Sequence, residues 1–254
     1  MTCACSAIWR WNSMSVTRTK KGLFVTGTDT GVGKTLVTAA LALFLRRRGY
    51  DVGVMKPVET GVEDPSGLGA DGQLLQWAAD SGDEIDLICP YRLRAPLAPS
   101  LAAEKEGKRI IFGDLLEAAQ TLSERHGYLL IEGAGGLMVP LSGAVLLLDL
   151  VKALGHPLLT VCRPTLGTIN HTLLTMHAAR SNDIPLAGYI VNNMPQTPSE
   201  AEAQAPNALV EVASGDLLAV LGQVPGTPRE QAQALADQLE RVPTLHWLFS
   251  GLDV

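Results

Sequence analysis

The residues best suited to chemistry stand in the segment Gly27 Thr28 Asp29 Thr30 Gly31 Val32 Gly33 Lys34 Thr35. Glycines let backbone N–H groups turn inward around an anion, and a helix opening after Lys34 adds the positive end of its dipole. Lys34 supplies a point charge and Thr35 a hydroxyl for Mg²⁺, so the segment reads as a cradle for a nucleoside triphosphate, with Gly31, Val32 and Gly33 lining it. The first glycine, Gly27, lies one residue earlier than the G-x-x-x-x-G-K-T spacing requires, and Thr28 holds that place. The loop is therefore one residue longer than the generic form.

Three more groups belong with it. Lys56 ends the otherwise apolar run 51–55 and is followed by Pro57 Val58 Glu59 Thr60 Gly61. Asp71 is placed to cap a short helix over residues 72–79. Glu132 is delivered by the apolar run 128–131 into a glycine-rich turn, Gly133 Ala134 Gly135 Gly136, where a ligand can approach closely and a second Mg²⁺ or water ligand would sit. In open α/β sheets ligands gather at the carboxyl ends of strands, which puts Lys56, Thr60 and Asp71 on the phosphate side.

Positioning these groups requires strands that alternate with helices. Apolar runs beginning at Leu23 and over 51–56, 128–131, 157–162, 186–191 and 217–221 predict strands; 36–48, 72–79, 100–106, 114–126, 145–154 and 228–241 predict helices, and the segment 163–171 turns into a further helix through 180. The spacing implies an α/β fold: a mostly parallel sheet with helices on both faces, in one domain over residues 21–254. Residues 63–69, 90–99 and 194–206 are rich in Pro, Gly or Ala and predict connections, the last of them mobile. Residues 1–20 show neither period and predict a disordered extension, with Met14 an alternative start.

Composition narrows the function classes. With 254 residues, 46% of them hydrophobic, the chain can bury a large core. A net charge of -6 argues against nucleic acid as the partner, because phosphate backbones need clustered Lys and Arg. The one tight cluster, Arg46 Arg47 Arg48, closes the first helix, where cations complement the dipole. Cys3, Cys5, Cys89 and Cys162 lack the paired spacing of a zinc site or disulfide framework and suit a reducing, cytoplasmic setting. His171 and His177 lie six apart, which is no metal pair, and are expected on a helix surface or interface. No apolar run approaches a membrane span.

These blocks, in order, resemble the dethiobiotin synthetases of biotin synthesis. TGTDTGVGKT at 26–35, KPVETG at 56–61, EGAGG at 132–136, GTINH at 167–171 and GYIVN at 188–192 carry the resemblance, as does the early loop glycine. It implies ATP-dependent closure of a urea ring, in which 7,8-diaminopelargonate, CO₂ (or bicarbonate) and MgATP give dethiobiotin, ADP and phosphate. Carried over residue by residue, Lys34 meets the β- and γ-phosphates, and Lys56 bridges a carbamate and the γ-phosphate as the main catalytic group. Thr35, Asp71 and Glu132 hold Mg²⁺. Asn192 reads the adenine, with Asn193, Pro225, Gly226 and Thr227 near the base and Gly133, Ala134 and Gly135 beside the nucleotide. Thr30 and Thr60 face the substrate. Gly167, Thr168, Ile169 and Asn170 hold its distant carboxylate from the other subunit, so a homodimer with shared sites is implied.

Gly31 stands where some members carry glutamate, Asn193 where some carry an acid, and Gly226 and Thr227 where others carry bulkier residues. Two rival readings share the loop. A partition-type ATPase switch would carry an early second lysine, which Gly27 Thr28 Asp29 lacks. A cobyrinate-type amide synthetase would need a glutamine-hydrolysing domain, for which no room follows Gly226.

Overall fold

Runs of Val, Leu and Ile too short for helices, buried on both faces, pair as parallel strands. The computed structural model describes residues 21–245. In chain order its elements are β1 (Gly22–Gly27), α1 (Lys34–Arg46), β2 (Val52–Met55), β3 (Val58–Thr60), α2 (Ala70–Ala79), α3 (Ile85–Ile88), β4 (Tyr91–Leu93), α4 (Pro99–Lys105), α5 (Phe112–Arg125) and β5 (Tyr128–Gly136). There follow β6 (Pro140–Ser142), β7 (Val145–Leu146), α6 (Leu147–Leu154), β8 (Leu158–Cys162), α7 (Thr168–Arg180), β9 (Leu186–Met194), α8 (Glu200–Val212), β10 (Leu217–Gly222) and α9 (Pro228–Glu240).

The main sheet runs β10-β9-β8-β1-β5-β2 and its neighbouring strands are all parallel. β1 is thus internal, with Val25 opposite Glu132 on one side and Leu159 on the other. Leu23, Phe24 and Val25 are buried, and each such side chain contributes about 1.5–3 kcal/mol. Leu41 and Leu45 of α1 pack with Leu75 of α2 and Leu235 and Leu239 of α9 on one face. Leu115 and Leu122 of α5 and Leu150 and Leu154 of α6 pack with Phe24 and Ile131 on the other. The carboxyl ends of β1, β2 and β5 therefore open to one rim between two anchored layers.

Four local expectations are corrected. Residues 194–206 are not one mobile connection: Glu200 opens α8, because Ser199 and Glu202 form a reciprocal capping box and Ala205, Pro206 and Leu209 are buried. Gly133 to Gly136 do not turn but continue β5, held by pairing of Gly136 with Gly27. Asp71 is not the cap of α2, since Gly69 holds that position and Asp71 lies in the first turn. Residues 145–154 divide into β7 and α6. The small parallel pair β3-β4, whose β4 lies within the connection expected over 90–99, and the one-turn α3 carry no period in the sequence. Residues 1–20, including the extension and the alternative start, lie outside the described residues, as does the tail after 245.

Far from the rim, His126 ties three segments together. Its Nδ1 is 2.9 Å from Asp51 Oδ1 and its Nε2 2.8 Å from Asp83 Oδ2. Burial favours neutral imidazole, but the two carboxylates outweigh it and raise His126 above the ordinary histidine value. A raised folded-state value gives stability that is full below the unfolded value near 6.5 and is lost as pH rises through the folded value. His126→Gln should therefore lower Tm more at pH 5.5 than at pH 9, checked by thermal melts across that range.

Candidate active site

The loop after β1 is fixed from both sides. Thr28 N–H donates to Val161 O at the end of β8 (3.0 Å), and Asp29 Oδ2 takes Arg163 Nη2 at 2.5 Å. Asp29 Oδ1 accepts Thr30 N–H at 2.7 Å, and that bond, with Arg163, holds its carboxyl below the usual range. Gly31 and Gly33 adopt φ of 71° and 88°, the left-handed region that turns N–H groups inward. At Gly33 the requirement is doubled, because an added Cβ would come 2.2 Å from Asn192 Nδ2. That amide donates to Val32 O at 3.0 Å, so the end of β9 braces the loop. Asn192 Oδ1 is buried and has no partner.

α1 begins at once after Gly33 and carries the two charged or polar groups expected of it. Lys34 Nζ donates to Asp29 O across the loop at 3.0 Å. Burial lowers its affinity for a proton, and nearby Lys56 adds to that, while Glu132, Asp71 and Asp29 oppose it. Thr35 Oγ1 donates to Glu132 Oε1 at 2.9 Å.

Lys56 stands at the centre. Its buried ammonium donates to Glu132 Oε1 at 2.5 Å and to Asp71 Oδ2 at 2.6 Å. Burial pulls its pKa down, but the Glu132 and Asp71 carboxylates overcome that and raise Lys56 well above the ordinary lysine value. Burial would likewise raise Asp71, yet Lys56 beside it lowers the carboxyl. Thr35, Lys56, Asp71 and Glu132, which come from α1, the residue directly after β2, α2 and β5, are thereby brought into one cluster.

Glu132 Oε2 is fully buried with no hydrogen-bond partner. An unpaired carboxylate oxygen beside a hydroxyl and a second carboxylate is a hard oxygen set that suits Mg²⁺. Among the described residues no three His, Cys, Asp or Glu side chains form a metal site by themselves. The set thus fits an ion that takes its remaining ligands from phosphate and water.

The other expected residues make no hydrogen bond to this cluster. Thr30 lines a groove of about 440 Å³ with Asp29, Met138, His171 and Leu174, and Thr60 ends β3. Gly167 caps α7 at φ 91°; Ile169 and Asn170 are exposed and Thr168 is buried. Gly133 and Ala134 lie in β5, and Gly135, within the same strand, adopts φ 69° beside Thr30. Asn193 adopts a left-handed φ of 63° near Gly33. Pro225, Gly226 and Thr227 are exposed, and the Thr227 hydroxyl caps α9. His171 and His177 are exposed on α7, and Cys89 and Cys162 are buried.

One residue escaped the sequence reading. Glu59 is buried, and its carboxylate accepts the backbone N–H of Asp71 at 2.9 Å and of Gly72 at 3.0 Å. The available signal was an acid inside KPVETG followed by a helix whose own cap position, Gly69, has no side chain.

An internal β1, a glycine-rich loop braced by β8 and β9, and Lys34 and Thr35 opening α1 define a P-loop nucleotide-binding α/β protein, and residues 21–233 match the AAA domain family. A chain of the MinC:MinD cell division complex of Aquifex aeolicus superposes with a TM-score of 0.56 at 15% identity, covering 87% of this chain and 95% of that one. Apo McdA of Cyanothece gives 0.55 at 17% identity over 92% and 98%. Both share the fold.

Curated relatives are nearer in sequence. The ATP-dependent dethiobiotin synthetase BioD of Thermodesulfovibrio yellowstonii is 43% identical over 212 residues, 80% of this chain and 88% of that protein. The Bacillus subtilis (strain 168) protein of the same name is 37% identical over 212 residues, 83% and 90% respectively. The chain belongs to the dethiobiotin synthetase family.

The position of Gly33 yields a test. Gly33→Ala must adopt a left-handed backbone, costing about 1–2 kcal/mol, and displace Asn192 as well. Loss of ATP binding together with a lowered Tm is expected, read by fluorescent-nucleotide titration and thermal melts.

Proposed function

We propose that the chain closes the ureido ring of dethiobiotin, using ATP to join CO₂ to 7,8-diaminopelargonate. The single observation that carries this reading, beside family membership, is the buried Lys56 ammonium placed among Thr35, Asp71 and Glu132 next to the phosphate loop. One substrate amine adds to CO₂ and loses a proton, giving a carbamate. A carbamate oxygen attacks the γ-phosphorus and ADP leaves. The second amine then attacks the carbonyl carbon of the mixed anhydride, phosphate departs, and the ring closes.

Such chemistry demands positioning and neutralisation of gathering negative charge. Lys34 serves the β- and γ-phosphates; Lys56 faces carbamate and γ-phosphate together and holds the two anions near each other. Thr35, Asp71 and Glu132 would hold Mg²⁺, which when bound neutralises the phosphates. Asn192 Oδ1, buried and unpaired, is suited to accept from the exocyclic amine of adenine. Gly31, Val32, Gly33, Gly133, Ala134, Gly135, Asn193, Pro225, Gly226 and Thr227 complete the nucleotide site, and Thr30 and Thr60 the substrate side.

The distant carboxylate is held by Gly167, Thr168, Ile169 and Asn170 of a second copy. Support comes from Leu166, 87% exposed, with Leu174 and Met138 also exposed along and near α7, an apolar surface suited to a homodimer. No helix among the described residues is long and apolar enough to cross a membrane.

The reading is tested by phosphate release with diaminopelargonate and bicarbonate omitted in turn. Release should require both, and release without diaminopelargonate would refute it. Lys56→Ala should lower turnover about 10²–10³-fold while nucleotide binding stays within a few fold, measured by coupled assay and fluorescent-nucleotide titration. Sedimentation velocity should find a dimer that Leu166→Glu with Leu174→Glu converts to an inactive monomer.

A further inference from the structure

We propose that Glu59 is a positioning residue for this site: by clamping the first turn of α2 it holds Asp71 against Lys56 and in reach of the metal. The proposal rests on the reading of Asp71 as a metal ligand. Three observations carry it.

The clamp is double. Both oxygens of the buried Glu59 carboxylate accept backbone N–H groups, one from Asp71 itself and one from Gly72. Asp71 is thus held by its backbone through Glu59 and by its side chain through Lys56. Free N–H groups in the first turn of a helix need an acceptor, and a carboxylate there also meets the positive end of the dipole.

The acceptor is not local. α8 and α9 are capped by their own Ser199 with Glu202 and Thr227 with Glu230, within four residues of chain. α2 has Gly69 at the cap and draws its acceptor from β3, on the segment that begins with Lys56. A local serine or aspartate would satisfy the helix alone. Glu59 instead joins the helix carrying Asp71 to the segment carrying Lys56.

Space is reserved for it. An added Cβ at Gly69 would come 2.2 Å from Glu59 Oε1, and one at Gly72 3.2 Å from Glu59 Oε2. Burial pushes the Glu59 carboxyl upward, while the two N–H groups pull the other way. An acid kept in so costly a place is bound to the groups around it rather than to solvent.

The test measures Mn²⁺ affinity of the enzyme with a non-hydrolysable ATP analogue by electron paramagnetic resonance, together with kcat and KM for ATP. The variants are Glu59→Gln, Glu59→Ala, Gly69→Ala and Asp71→Asn. Glu59→Gln keeps the size of the side chain but presents an amide donor to one of the two N–H groups. It should raise the Mn²⁺ Kd about 10-fold, in the range seen when a group supporting a metal ligand is lost. kcat should fall while KM for ATP stays within about twofold.

Gly69→Ala, which displaces the carboxylate without altering it, should reproduce both effects. Should Glu59→Ala fail to fold, Glu59→Gln with unchanged circular dichroism carries the comparison. A lowered Tm with Mn²⁺ affinity unchanged in Glu59→Gln, while Asp71→Asn weakens it, would make Glu59 a helix cap only and overturn the proposal. Unchanged affinity in Asp71→Asn would instead remove the metal role of Asp71, and the proposal with it.

Discussion

One buried ammonium organises the rim of the sheet. Lys56 lies between Asp71 and Glu132, and without it two carboxylates would face each other in a dry setting. Burying a charge costs several kcal/mol unless it is paired and hydrogen-bonded, so the three groups are obligatory partners. Since they come from α2, β5 and the residue that follows β2, the pairing also fixes how these elements meet. Glu132 Oε1 is shared by the Thr35 hydroxyl, which extends the cluster to α1 and the phosphate loop.

The loop supplies the complementary sign. Its glycines aim N–H groups inward and Lys34 adds a cation, so an anionic ligand there meets donors already in place. Preorganisation of this kind depends on the brace behind the loop: Arg163 on Asp29 and Asn192 on Val32 hold a segment that would otherwise lose much conformational freedom on binding. Acids on one side and cations and amides on the other make a site suited to a metal-bound polyphosphate beside a second anion.

Much of this was legible in the sequence, for a physical reason. The strands of the sheet are buried on both faces and read as unbroken apolar runs; Lys56 and Glu132 each directly follow such a run, and Lys34 and Thr35 open the helix after the first. Asp71 meets Lys56 from the first turn of α2 rather than from its cap, because that turn takes its acceptor from another strand. Glu59 was missed for the same reason: a contact across twelve residues has no local period. The Pro- and Ala-rich composition of 194–206 points to a connection, yet the Ser199 and Glu202 box opens a helix there that accommodates Pro206. The β5 glycines looked like a turn, and only pairing with Gly27 makes them strand.

The internal place of β1 has a consequence for synthesis of the chain. The phosphate loop leaves the ribosome early, yet its partners come late: Thr35 waits for Glu132, 97 residues on, and Val32 for Asn192, 160 residues on. Contacts so distant in sequence form slowly, after much chain entropy has been lost. A nascent chain therefore carries the most recognisable nucleotide motif of the protein long before β5 and β9 supply the groups that brace it.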